Sequence, residues 1–230
     1  MHAMILAAGR GERMRPLTDH TPKPLLAAGG RPLLEWHLRS LAEAGFRDVV
    51  INHAHLGQQI EQWVGDGAAW GLRVRFSPEN PALETAGGIR RALPWLGNDI
   101  FLVVNGDVFT DWPRTRAWSI ASQMRAAQLR AWCVLVDNPA HHPDGDFSLH
   151  GGRMYAGDSD RLTFSGIGLY HPDMFAHLSD GVATRLAPLL REEIAAERAG
   201  AEYWPGKWTD VGTPARLAQL DAELHQVKPF

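Results

Sequence analysis

Short apolar runs alternate along the chain with stretches whose apolar residues recur every three or four positions. That alternation of buried-strand and amphipathic-helix patterns predicts a parallel sheet covered by helices, an α/β fold. Residues 3–8 read as the first strand and run into a Gly-rich loop that extends to Lys23. Pro32 opens a helix whose Leu33, Leu34, His37, Leu38 and Leu41 share one face, and Gly45 closes it. Residues 48–52 give a second strand, and a helix with Leu56, Ile60, Trp63 and Val64 inward leads to an alternating strand at 72–76. A Gly-rich turn at 85–88 precedes a short helix and the strand 100–104, which ends in Asn105-Gly106-Asp107. A helix near 114–130 and the strand 131–136 follow. Residues 138–160, rich in Pro, Gly, Asp and His, predict a loop and hairpin that form a lid beside the sheet. A strand at 162–170 and a helix around 186–198 return to the core; 208–211 is a strand edge, and a helix from Pro214 follows. No repeat or low-complexity segment interrupts this pattern, so residues 1–230 are expected as one domain.

Composition narrows the function classes. Net charge is −3 and no Lys/Arg block is long enough for a nucleic-acid surface. No apolar run approaches the ~18 residues of a membrane span. The apolar stretch 3–8 precedes Arg10, Arg13 and Arg15, the reverse of a signal peptide, so cytoplasmic residence is expected. Cys133, the only cysteine, lies in an apolar strand and reads as a packed thiol. Most of the nine tryptophans read as core or half-buried packing.

The basic residues concentrate early, at Arg10, Arg13, Arg15 and Lys23, which points to a local anionic ligand. Gly9 and Gly11 follow the first strand directly, and glycines there let backbone N–H groups approach phosphates. Met14 stands where a dinucleotide fingerprint needs glycine, and no Gly-Lys-Ser/Thr is present, so both common phosphate loops are excluded. What remains is Gly9-x-Gly11-x-Arg13-x-x-Pro16-x-Thr18-x-x-x-Pro22-Lys23, with prolines stiffening a loop that carries two cations. Asp107 and Asp210 each follow a short β run, where ligands of open α/β sheets bind. Two such carboxylates suit magnesium, although each motif alone is compatible with a plain turn. The adjacent His141 and His142 are poorly placed to share one ion.

The Gly9–Lys23 pattern resembles the signature of the sugar-1-phosphate nucleotidyltransferases, and the resemblance extends over essentially the whole chain. It implies a doubly wound, mainly parallel sheet and transfer of a nucleoside monophosphate from an NTP to a sugar phosphate, with Mg2+ as cofactor. Gly11, Glu12 and Arg13 would hold the NTP phosphates, with Lys23 and Arg13 offsetting charge at the reacting phosphorus. Many members carry Ser or Thr in place of Glu12, so contact there is expected through the backbone. Asp107 and Asp210 match the metal-binding aspartates. Residues 83–88 resemble the loop that lies against the nucleobase, with Thr85 and Gly87 the contacts. Asn105, Gly145 and Asp146 would hold the sugar phosphate, while residues 153–158 lack the Glu-Lys pair many members use there. Within the family, the short length, Gly-Glu-Arg-Met at 11–14, Leu-Glu-Thr at 83–85 and the His-His-x-x-Gly-Asp-Phe segment are most similar to members that transfer UMP from UTP to a sugar 1-phosphate recovered from the cell wall. A monomer is expected. Guanylyl transfer to mannose 1-phosphate, cytidylyl transfer to phosphocholine and a non-catalytic nucleotide-sugar sensor are the competing readings.

Overall fold

A computed structural model describes residues 1–157 and 159–226. The strands are β1 (Ala3–Leu6), β2 (Ala27–Ala28), β3 (Arg31–Pro32), β4 (Asp48–His53), β5 (Arg73–Pro78), β6 (Phe101–Asn105) and β7 (Val108–Thr110) in the first half. Then come β8 (Ala131–Val136), β9 (Phe147–His150), β10 (Arg153–Tyr155), β11 (Arg161–Tyr170), β12 (Ala199–Tyr203) and β13 (Trp208–Asp210). The α-helices are α1 (Leu33–Glu43), α2 (Gly57–Val64), α3 (Glu84–Leu96), α4 (Arg116–Ala126), α5 (Leu186–Ala195) and α6 (Pro214–Gln226).

Nine strands form the central sheet in the order β5-β4-β1-β6-β11-β8-β12-β10-β9. The parallel quartet β5-β4-β1-β6 reverses direction of winding between β1 and β6. In open α/β sheets the crevice at such a reversal, beyond the carboxyl ends of the strands, is where ligands bind. β11 is antiparallel to both β6 and β8, while β12 is parallel to β8.

Alternation along the strands explains the two layers of helices. Ala3 and Ile5 of β1, Val49 and Ile51 of β4, and Leu102 and Val104 of β6 face one core, closed by α1, α2 and α4. Met4, Val50, Phe101 and Val103 face the other, closed by α3 and α5. A side chain's direction reverses at each strand residue, so a run of consecutive apolar residues feeds both cores. The helical face foreseen for α1 is the buried one: Leu33, Leu34, His37, Leu38 and Leu41. A third, smaller core joins Met14 of the phosphate loop, Leu26, Ala28 and Leu33 to Val211 and Leu220. It fastens the loop after β1 to the strand that carries Asp210.

Several boundaries differ from the sequence expectation. Residues 85–88 are no turn but lie in the first turns of α3, which starts at Glu84. β12, an Ala-Gly-Ala-Glu-Tyr stretch of weak strand propensity, has no counterpart in the sequence reading; sheet pairing on β8 forms it. The hairpin β9–β10 continues the sheet, β10 pairing with β12 and β9 with β11, rather than standing beside it. Of the stretch 153–158, Asp158 lies outside the described residues.

Cys133 is fully buried in β8, and burial pushes its thiol up to about 12. The native protein is therefore expected to resist a thiol reagent at about pH 8 and to react fully once unfolded in guanidinium. Rapid labelling without denaturant would contradict this packing.

Candidate active site

Two cavities open at the carboxyl ends of the parallel strands and meet at Asn105 and Asp107. The first, about 380 Å³, is floored by the loop after β1 and includes Gly9, Gly11, Lys23, Asn52, Glu79 and Thr85. The second, about 350 Å³, is lined by Arg13, His141, His142, Asp146, Trp208 and Asp210, together with the bulged part of β11.

Local geometry explains the loop after β1. Gly11 sits at φ +70, a backbone conformation that favours glycine, and a Cβ there would press on Thr18 Cγ2 at 3.0 Å. The Thr18 hydroxyl donates to Gly11 O at 2.9 Å, which ties the loop's two ends. Lys23, its side chain only 11% exposed, reaches across to Asp107 with Nζ 2.5 Å from Oδ2. The ion pair joins the loop to the end of β6.

Asp210 arrives from a separate element but at an adjacent backbone position. β13 pairs antiparallel with β7, opposing Asp210 to Val108, and Val211 N–H donates to Asp107 O at 2.7 Å. Arg216, in the first turn of α6, donates from Nη1 to Asp210 Oδ1 at 2.6 Å, and His141 Nε2 lies 2.9 Å from the same oxygen. Among the described residues, Asp107 Oδ1 and Asp210 Oδ2 receive no side-chain hydrogen bond. The same residues hold no group of three or more His, Cys, Asp or Glu side chains that could bind a metal. Two carboxylates on one cavity wall, with hard oxygen donors and no soft ligand, are the set expected for an ion that completes its shell with phosphate and water.

Of the residues singled out in the sequence, Gly11, Lys23, Thr85, Asn105 and Asp107 border the first cavity, and Arg13, Asn105, Asp107, Asp146 and Asp210 the second. Arg13 thus lies on the second cavity, near Gly212, rather than with Gly11. Three candidates border neither. Glu12 is exposed and paired with Arg10 Nε at 3.2 Å. Gly87 spends its N–H on Thr184 O at 3.1 Å. Gly145 closes a turn through its N–H to His142 O. Asp146 is committed in part: Oδ2 accepts from Phe164 N–H at 2.8 Å, and Oδ1 lies 3.1 Å from His142 Nε2. Asn52, Glu79, Arg216 and Trp208 are the lining or supporting residues that sequence reasoning missed. Applying the strand-end rule to β4 and β5 as well as β1 and β6 would have found the first two.

The nucleotidyl transferase family profile matches residues 2–144, which carry β1, the phosphate loop, Lys23 and Asp107. The chain belongs to the nucleotidyl transferase family. This nucleotidyltransferase is 53% identical over 227 residues to the N-acetylmuramate alpha-1-phosphate uridylyltransferase of Neisseria meningitidis serogroup B, covering 96% of this chain and 97% of that protein. It is 30% identical to the N-acetylmuramate alpha-1-phosphate uridylyltransferase of Caulobacter vibrioides, covering 96% of each. Its fold superposes with a TM-score of 0.86 on a Bacillus anthracis protein solved with a sucrose, at 20% identity and covering 100% of this chain and 97% of that one. The doubly wound fold and the enzyme class expected from the sequence both stand.

Proposed function

We propose that this nucleotidyltransferase transfers UMP from UTP to N-acetylmuramate α-1-phosphate, giving UDP-N-acetylmuramate and pyrophosphate. The observation that carries this reading is the 53% identity to the Neisseria uridylyltransferase over 96% of the chain. So little of the chain falls outside that likeness that it must include both cavities, not the phosphate loop alone.

In this reading the first cavity takes UTP and the second takes the sugar phosphate. Backbone N–H groups of the loop around Gly9 and Gly11 face the triphosphate, Thr85 lies toward the base, and Asp146 and Asn105 lie toward the sugar phosphate. A phosphate oxygen of the sugar phosphate attacks the α-phosphorus of UTP; the new P–O bond forms as the bond to pyrophosphate breaks. The attacking group is already an anion, so no base or nucleophilic side chain is required. Positioning and charge supply the acceleration. Lys23 lines the first cavity and pairs with Asp107, where the two cavities meet, and Arg13 lines the sugar-phosphate side, so their charges offset the anionic groups brought together. Asp107 and Asp210 would hold magnesium, whose chemistry when bound is to neutralise phosphate oxygens and the leaving group. The reaction would serve cell-wall sugar recycling in the cytoplasm, where UTP is available. Among the described residues no helix is long and apolar enough to cross a membrane.

Pyrophosphate release measured with UTP, GTP, CTP and dTTP against N-acetylmuramate, N-acetylglucosamine, glucose and mannose 1-phosphates tests the assignment. UTP with N-acetylmuramate α-1-phosphate is expected to give the highest kcat/KM. A clear preference for GTP with mannose 1-phosphate would replace the substrate pair and leave the reaction class in place.

A further inference from the structure

We infer that the buried pair Asn52–Glu79 is a positioning device that sets the two walls of the nucleotide cavity against each other. Asn52 lies in β4 and is 2% exposed; Glu79 directly follows β5 and is 4% exposed. Ala7 N–H, at the start of the phosphate loop, donates to Asn52 Oδ1 at 2.8 Å. Asn52 Nδ2 donates to Glu79 Oε1 at 2.7 Å, and Leu83 N–H, at the start of α3, donates to Glu79 Oε2 at 2.7 Å. Three buried hydrogen bonds therefore run unbroken from the phosphate side of the cavity to the side that carries Thr85. Both residues border the first cavity and neither borders the second.

The residue types follow from the direction of those bonds. Both oxygens of residue 79 face donors, so only a carboxylate satisfies them; a glutamine would turn its NH2 toward one. Burying such a carboxylate is tolerated because each oxygen is hydrogen-bonded. Residue 52 must accept from Ala7 and donate to Glu79, which an amide does and a carboxylate does not. Gly88 completes the arrangement: a Cβ there would lie 2.6 Å from Glu79 Oε1 and 2.9 Å from Asn52 Nδ2. Glycine at position 88 thus lets α3 settle onto the pair.

The inference rests on the reading of the first cavity as the nucleotide's, and its test separates the two. Glu79→Gln sets two donors against each other, and Asn52→Asp sets two carboxylates against each other. The double variant Asn52→Asp/Glu79→Gln exchanges amide and acid while restoring every bond. The carboxylate introduced at position 52 accepts from Ala7 N–H and from the amide introduced at position 79, whose own oxygen accepts from Leu83 N–H. Each single variant is expected to raise the KM for UTP on the order of tenfold or more, with far less change in the KM for the sugar phosphate. UTP titration calorimetry without sugar phosphate should show the same loss. The double variant should recover most of the affinity. Equal rises in both KM values, lowered thermal stability with unchanged KM, or a double variant no better than the weaker single would overturn the inference. If the single variants do not fold, the double variant alone decides: folded protein with near-wild-type UTP affinity supports the bridge, and weak affinity refutes it. Wild-type enzyme that prefers another nucleotide overturns the UTP assignment instead, and the same variants are then compared with that nucleotide.

Discussion

Asp107→Asn and Asp210→Asn are each expected to lower kcat about 10²–10³-fold or more while leaving the fold intact. Asp107 directly precedes β7 and Asp210 ends β13, its hydrogen-bonded neighbour: Asp210 opposes Val108, and Val211 N–H donates to Asp107 O. Asparagine preserves the volume of each side chain and those backbone bonds, so thermal melting should change little. What it removes is charge. Lys23 at residue 107, and Arg216 and His141 at residue 210, would keep an amide oxygen as acceptor but lose the opposing charge. Unbalanced cations remain on the wall, but a divalent ion loses half of the protein's carboxylates. The measurement is turnover across a magnesium titration, beside circular dichroism of each variant. A rate restored fully by excess magnesium would mean the residue tunes affinity only. Near-normal turnover at ordinary magnesium would remove that residue from the site.

Particular residues show what the sequence could and could not reveal. The apolar runs of β1, β4, β6 and β8 were legible because strands buried on both faces have no polar alternation to obscure them. The buried stripe of α1 was legible because its period is helical. β12 was not, since Ala199, Gly200 and Ala201 carry little strand preference and owe their conformation to pairing with β8. Nor was the start of α3: Gly87 and Gly88 suggest a loop, yet contact with Thr184 and with the Asn52–Glu79 pair stabilises the helix there. The site divides in the same way. Lys23, Asp107 and Asp210 stand in local motifs and gather as those motifs suggest. Asn52, Glu79 and Arg216 have no local signature, because their partners lie on other elements. Gly145 and Gly87 were assigned ligand contacts from their motifs, yet their amides are engaged within the chain.

Lys23→Ala is expected to depress kcat on the order of 10²–10³-fold while raising the KM for UTP by less than about tenfold. The lysine is held rather than free: its side chain is 11% exposed and Nζ is 2.5 Å from Asp107 Oδ2, whose own side chain is 37% exposed. A charge fixed in that position costs little reorganisation during the reaction. Its value rises as charge shifts onto the oxygens around the α-phosphorus and onto the leaving pyrophosphate, so it stabilises the transition state more than bound UTP. Lys23→Arg should recover little activity, because a planar guanidinium cannot reproduce the point contact of the compact, part-buried ammonium with Asp107 Oδ2. Steady-state kinetics with UTP varied at saturating sugar phosphate, together with UTP binding measured directly, separate the two effects. A variant with normal kcat and a raised KM would make Lys23 a clamp on the ground-state triphosphate. A variant with lowered kcat and nearly unchanged UTP affinity would place its charge at the transition state.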